Sequence, residues 1–418
     1  MSNNVYLVGV HSTPVRRWPE KSFKDLAREA YVGALQDAGL ENGRDIAAAW
    51  FGSGLMHYWG QAALRGNICF IPLVRAGLFP DRAPIINIEG GCATGSFAII
   101  SAYKEVKSGD ADLALAIGVE KVYDPQDPKR ILSFFDANDH FDPHEWHTHF
   151  DDVAQRVGVK FAPGADRTIN MDVYALQAQL HRKLYGSTPE QIAVGAAKNH
   201  CNGAKNERAQ YRFEMTPEQV LADRMVVPPL TRAMCAPLGD GAAAALICSE
   251  RYLRAQPKEV RARAIRISGV GMSGGKYREL TEPSLTREAA NRAYAMAGRT
   301  PRDIQVAEVH DATSFCELYQ SEMLGFCGIG EGGHFVGEGH TKLGGSLPIN
   351  TSGGLVSKGH PLTATGISMC HELAVQLRNE AGERQVADAS IALQQNAGGA
   401  IGLEEAVGAV LLYERVDA

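Results

Sequence analysis

No stretch of the chain approaches the ~18 consecutive apolar residues of a membrane span, and the opening residues, MSNNVYLVGVHSTP, lack the basic start and long apolar run of a secretory leader. A cytoplasmic protein without a membrane partner is expected. Neither sign of charge dominates: 42 Lys and Arg face 48 Asp and Glu for a net charge of −6, which offers a polyanion no general attraction and excludes nucleic acid as the expected partner. Eight cysteines in 418 residues are too sparse for a disulfide scaffold, and neither a C-x-x-C pair nor close Cys/His doublets suggest a structural metal. With 44 glycines and 19 prolines, turn formers are near their usual share, which rules out collagen-like and disordered chains. The 45% of hydrophobic residues suits a folded chain of two ordinary domains, or of one domain duplicated.

The sequence favours duplication. Residues 26–46, LAREAYVGALQDAGLENGRDI, and 285–304, LTREAANRAYAMAGRTPRDI, share REA, AG and RDI in the same order. Apolar residues recur at helical spacing in both and a glycine follows, so each predicts an amphipathic helix with its stop. A short strand precedes each, VYLVGV at 5–10 and IRISGVG at 265–271. Further on, 91–120 and 363–396 both read as a small-residue turn, a helix, a polar loop and a buried strand. The endings match too, at 239–250 and 402–415. The fold class is therefore α/β, with an N-terminal half at 1–120 and 236–250 and a C-terminal half at 265–418. Its βαβ order predicts mostly parallel sheets covered by helices. Residues 121–235, rich in Asp, His, Pro and aromatics, have no counterpart and read as an inserted loop domain; 251–264 read as the link between halves.

Ligands of such sheets collect where strands end and helices begin. Cys92 sits there, after the apolar strand Ile85–Ile88 and the Gly90-Gly91 turn, at the start of a helix whose N–H groups and dipole are expected to lower its thiol pKa. His310 ends the strand after the second copy of the duplicated helix, in Val-His-Asp, placed to donate to a substrate oxygen or a bound water. His360 precedes the helix that mirrors the one after Cys92, so pseudo-symmetry puts the two on equivalent turns, with the imidazole as base for the thiol. Cys248 and Cys370 read as core, Cys316 as a residue able to approach the site, and Cys69, Cys201, Cys235 and Cys327 show no activating pattern. His57, after the first-half strand matching that of His310, is a candidate to border the pocket. His140, His144, His147 and His149 lack metal-ligand spacing and read as a lid or a subunit contact; no metal is expected.

Taken together these residues resemble the thiolase superfamily, most closely its sterol-carrier-protein and archaeal types. The resemblance runs over nearly the whole chain: Gly-Gly-Cys-Ala at Cys92, His-Asp at His310, and Gly344-Gly345-x-x-Pro-x-Asn-x-Ser-Gly-Gly through Lys358-Gly-His-Pro at His360. It implies two βαβαβαββ halves in a five-layered αβαβα sandwich, usually a homodimer, that cleaves or forms a 3-oxoacyl-CoA through an acyl-cysteine. Coenzyme A is then a substrate and no cofactor is permanently bound. Cys92 would carry the acyl group, His360 would activate it, and His310 with a water would hold the enolate oxygen. Backbone N–H groups near Cys92 and at Gly398-Gly399 would hold the tetrahedral oxyanion. The chain departs from the family at the second cysteine: Leu393 to Gly399 contains none, and position 312, after the His-Asp pair, is Ala. The acid/base for the carbon step is thus open among His310, His360, Cys316 and a water held by Asn396. That leaves room for a branched or aromatic substrate such as benzoylsuccinyl-CoA. Related chains of this type work with a separate small zinc-ribbon and OB-fold subunit, so such a partner is expected too. The alternatives are a thiolase-fold retro-aldolase working without a covalent intermediate, which retention of Cys92 disfavours, and a non-catalytic acyl-CoA-binding subunit.

Overall fold

A computed structural model describes residues 4–134 and 141–416. The first half runs β1 (Val5–Ser12), α1 (Phe23–Asp37), β2 (Ala48–Gly52), α2 (Arg65–Arg75), β3 (Ile85–Ile88), α3 (Thr94–Ser108) and β4 (Leu113–Glu120). Next come α4 (Pro143–Val157), α5 (Ile169–Tyr185), α6 (Pro189–Ala204), α7 (Pro217–Ala222) and a hairpin of β5 (Met225–Val227) and β6 (Leu230–Thr231). Strand β7 (Gly241–Ser249) returns to the first half, and α8 (Glu250–Arg254) and α9 (Lys258–Arg263) link it to the second. That half comprises β8 (Ile265–Gly274), α10 (Leu285–Ala297), β9 (Val306–Glu308), α11 (Ser314–Met323), α12 (Gly332–Gly337), α13 (Gly354–Lys358), α14 (Thr365–Leu377), β10 (Ile391–Gly398) and β11 (Val407–Arg415).

Each duplicated segment is thus a matching element. Helix α1 opens on a capping box between Ser22 and Asp25 and buries Leu26, Ala30, Tyr31 and Ala34 on one face, as its periodicity requires. The strands join in the order β3-β2-β4-β7-β1-β8-β11-β10-β9, with the halves meeting where Tyr6 and Leu7 of β1 pair Arg266 and Ile265 of β8. The expectation of mostly parallel pairing does not hold. Only β2–β3, β2–β4 and β9–β10 pair in parallel, whereas β7 lies antiparallel to both β1 and β4, and β11 to both β8 and β10. The reason is the last strand of each half, which inserts antiparallel between the first strand of that half and the strand that precedes it there, β7 between β1 and β4 and β11 between β8 and β10. In the second half the equivalent of β3 shrinks to a single bridge between Ala307 and Ile349.

The strand sequences are continuously apolar because both faces are covered. Along β7, Ala243, Ala245 and Ile247 join the central core while Ala242, Ala244, Leu246 and Cys248 join the outer one under α1 and α2. The central core holds α3 and α14, and a third layer of side chains lies under α10. The outcome is the five-layered αβαβα sandwich. Helices α4–α6 form a further core with Phe315, Leu318 and Tyr319 of α11, which ties the 121–235 region to the second half.

The two central helices start against each other. Ala93-Thr94-Gly95 and Ala364-Thr365-Gly366 are the same motif in the two halves, and each glycine is where the other strand of chain comes closest. A Cβ on Gly95 would lie 2.6 Å from the Thr363 carbonyl oxygen, and one on Gly366 would lie 2.5 Å from the Ser96 nitrogen. That crossing puts the turns before both helices side by side.

Candidate active site

Cys92 lies in the single 3-10 turn Gly91–Ala93 that joins β3 to α3. Thr94 staples this turn: its hydroxyl accepts from the Gly90 N–H at 2.9 Å and donates to the Gly91 carbonyl at 2.6 Å. The end of β10 abuts the other side, where a Cβ on Gly398 would fall 2.5 Å from the Cys92 nitrogen, so only glycine fits. From the mirrored turn comes His360, whose N–H donates to the Pro237 carbonyl at 2.9 Å. Its Nδ1 is 2.8 Å from the hydroxyl of Thr365, the counterpart of Thr94, which leaves Nε2 as the nitrogen available to the cavity.

His310 follows β9, with its backbone N–H bound to Gln395 Oε1 at 2.9 Å and its ring centroid 5.2 Å from that of His360. Neither ring nitrogen has a hydrogen-bond partner among the described residues. Asp311 does not face the reaction. It accepts from the Leu355 N–H at 2.6 Å and from Asn199 Nδ2 at 2.8 Å, fixing the strand end to α13. Ligating atoms of Cys92, His310 and His360 lie within 4.8 Å of one another. They open onto a cavity of about 390 Å³ that Gly398 and Gly399 also line.

The electrostatics are those of a dry site. Burial pulls the His310 pKa down to about 4, and burial together with neighbouring His310 holds His360 well below the usual imidazole range, so both rings are neutral. The expected lowering at Cys92 is not found: burial, with the carboxylate of Glu120 beside it, pushes the thiol up to about 12. Desolvation outweighs the helix start, so the resting group is a thiol. Glu120 ends β4 fully buried, accepting from the Gly54 and Leu55 N–H groups and the Ser53 and Thr363 hydroxyls, and burial raises it to about 7.

Other expectations need correction. His57 is exposed on the 3-10 turn Met56–Trp59, its ring tilted against that of Tyr58 with centroids 4.0 Å apart, and off the cavity wall. That turn sends Leu55 and Tyr58 inward to pack by Cys92 instead. Asn396 is fully buried behind the nucleophile rather than in the cavity; with its amide oriented to satisfy both ends, Nδ2 donates to the Cys92 carbonyl at 3.1 Å and to Ser96 Oγ at 2.9 Å. It supports the turn and does not line the cavity. Cys316 is buried against Thr313 and does not line the cavity. His144 and His147 are exposed on α4, His149 packs on Tyr277, and His140 lies outside the described residues. Cavity residues that local pattern did not single out include Cys235, Tyr174, Met171, Ile131 and the arginines Arg17, Arg167 and Arg224. Cys235 reaches the wall because 235–238 runs beside 312–313 and 360, with Cys235 bridged to Thr313 across 78 residues, which no local motif encodes.

Sequence models of the thiolase N-terminal domain and the thiolase C-terminal domain-like family match residues 5–226 and 264–411. The chain belongs to the thiolase family. It is 37% identical to an acetyl-CoA acetyltransferase of Methanothermobacter thermautotrophicus, over 95% of this chain and 96% of that one. It is 33% identical to sterol carrier protein 2 of Bos taurus, over 95% and 70%, and 30% identical to the benzoylsuccinyl-CoA thiolase subunit BbsB of Thauera aromatica, over 92% of each. Among solved structures, the Ltp2–ChsH2(DUF35) aldolase superposes with a TM-score of 0.74 at 22% identity, covering 98% of this chain and 97% of that one. Human mitochondrial 3-ketoacyl-CoA thiolase in complex with CoA gives 0.66 at 18%, covering 99% and 98%. This thiolase is therefore an acyltransferase, and among its described residues no helix is long and apolar enough to cross a membrane.

Proposed function

We propose that this thiolase cleaves or forms a 3-oxoacyl-CoA through an acyl-Cys92 intermediate. The observation that carries the reading is the cluster of Cys92 Sγ and one ring nitrogen each of His310 and His360 within 4.8 Å on the wall of one cavity. A thiol raised to about 12 reacts only if its proton leaves as the sulfur attacks, and a neutral imidazole with a free Nε2 is the acceptor for that proton. In cleavage, Sγ bonds to the keto carbon, the carbon–carbon pair leaves as the enolate of a shorter CoA ester, and CoA then takes the acyl group from sulfur. His310, neutral and unpartnered, donates to the enolate oxygen. The Cys92 turn and the Gly398-Gly399 edge supply N–H groups for the tetrahedral oxyanion.

Arg17, Arg167 and Arg224 on the cavity wall suit the phosphates of CoA. A small Ala312 beside His310, with Ile131, Leu132, Met171 and Leu238 on the same wall, supports a branched or aromatic acyl group such as that of benzoylsuccinyl-CoA. Edge strand β3, with Ile85, Ile86 and Ile88 half-exposed, supports a homodimer joined through that edge. A structural neighbour in complex with a DUF35 protein supports a small second subunit. The test is intact mass after mixing with acetyl-CoA or a 3-oxoacyl-CoA. One acyl group is gained by the wild type and none by Cys92→Ser, with turnover lost; cleavage surviving Cys92→Ser would instead establish the retro-aldolase reading.

A further inference from the structure

The proposed reaction leaves one step without a residue. The enolate carbon must receive a proton, and the chain has no cysteine in the turn after β10 and only Ala at position 312. We propose that Tyr174 is the catalytic residue that donates this proton; the proposal rests on the thiolase reading above.

Tyr174 sits on α5, is 9% exposed, and lines the cavity with Cys92, His310 and His360. It lies near enough to Cys92 and Cys316 that a charge on either sulfur would reach it, and its hydroxyl makes no hydrogen bond to any described residue. Burial holds the phenol well above its ordinary pKa, so the proton is present throughout the neutral range. The other protonated groups on the wall are engaged. Cys235 donates its thiol proton to the Thr231 carbonyl at 3.3 Å. Tyr211 has its ring packed against His200 and the exposed Phe213. Cys316 is off the wall, its sulfur 3.5 Å from the Thr313 hydroxyl.

The proton inventory closes. His360 takes the Cys92 proton as sulfur bonds to the keto carbon. The carbon–carbon bond breaks, its electron pair forms the enolate, and the enolate carbon takes the Tyr174 hydroxyl proton to leave a phenolate. The proton on His360 then passes to that phenolate through solvent in the cavity, so ring and phenol are both neutral again. CoA thiol gives its proton to His360 while its sulfur displaces Cys92, and the departing Cys92 thiolate takes that proton back. Condensation follows the same path in reverse, with the phenolate removing the α-proton.

Two readouts on Tyr174→Phe test this. In D₂O with acetyl-CoA, the wild type exchanges α-protons for deuterium and carries acetyl-Cys92. The variant is expected to keep acetyl-Cys92 within about twofold, showing that it folds and binds, while α-exchange falls ~100-fold, the scale of a lost general acid. Exchange unchanged in the variant would assign the proton to His360 and overturn the proposal. Loss of acetylation and exchange together would overturn it too, since Tyr174 would then only shape the pocket. A wild type that takes up no acetyl group refutes the thiolase reading itself, which separates the two failures.

Discussion

The chemistry of this site depends on keeping polar groups neutral in a dry place. His310, 1% exposed with neither ring nitrogen bonded to a described residue, is the plainest case. Its pKa falls to about 4 on folding, so the folded ring refuses a proton that the unfolded ring accepts below 6.5. The stability this represents is fully present above pH 6.5 and is lost as pH falls through 4, about 3 kcal/mol in all. His310→Asn, which cannot titrate, is expected to lose less stability than the wild type between pH 7.5 and 4.5. Urea midpoints at the two pH values check this, and an equal drop in both proteins would show that the ring is hydrated. His360 and His371 shift the same way, so the variant removes only part of the slope. Glu120 is the opposite case. With a folded pKa of about 7 it favours the protonated folded state, and above that pH its charge opposes a thiolate at Cys92.

At the scale of elements, the site exists because α3 and α14 begin in contact. Small residues at their first turns allow it: Gly95 and Gly366 each approach the other helix's turn more closely than any Cβ permits. The partners met are backbone atoms at Gly95, and at Gly366 they include the Ser96 nitrogen beside the Ser96 and Asn396 side chains; the backbone atoms cannot swing aside. Gly366→Ala is therefore expected to cost ~1–3 kcal/mol of overpacking and to part the His360 turn from Cys92. Gly274→Ala, at the end of β8 with nothing within 4 Å of the added carbon, is expected to fall within ~0.5 kcal/mol of the wild type. Equilibrium unfolding in denaturant decides, and equal costs at both positions would mean that the helices can slide apart. The same crossing explains why Asn396 matters from behind: it braces the Cys92 turn away from the cavity, while Gly398 at the end of β10 reaches the cavity wall.

For the whole molecule, nine strands run from β3 to β9, and the two ends are unlike. At one end the second half has replaced its third strand by the single Ala307–Ile349 bridge and covered it with chain. At the other, β3 is a full strand with one unpaired side and half-exposed isoleucines. A short apolar edge of this kind is blunted or paired in stable proteins. Ile86→Lys is expected to convert a dimer into a monomer in sedimentation velocity while the thermal transition of the subunit persists. If the dimer survives this charge at its edge, the subunits meet elsewhere.

Much of this protein was legible in the linear chain because its two halves are copies. Repeated REA, AG and RDI, and small residues before two buried helices, located α1 with α10 and α3 with α14. The residues at the strand ends, Cys92, His310 and His360, stood out by residue type against glycine-rich turns. Neither pairing direction nor protonation could be read that way. Strand β7 comes back to the sheet only after the whole 121–240 region, and β11 turns straight back on β10, so a βαβ reading overstated parallel pairing. The thiol of Cys92 was expected to ionise easily from its helix start, yet desolvation by layers distant in sequence sets its pKa. His57 and Asn396 failed as cavity residues, Tyr174 went unnoticed and Cys235 showed no activating pattern, for one reason: which way a side chain faces is settled by what packs around it, and in a five-layered sandwich those neighbours come from the other half or from the helices laid over it.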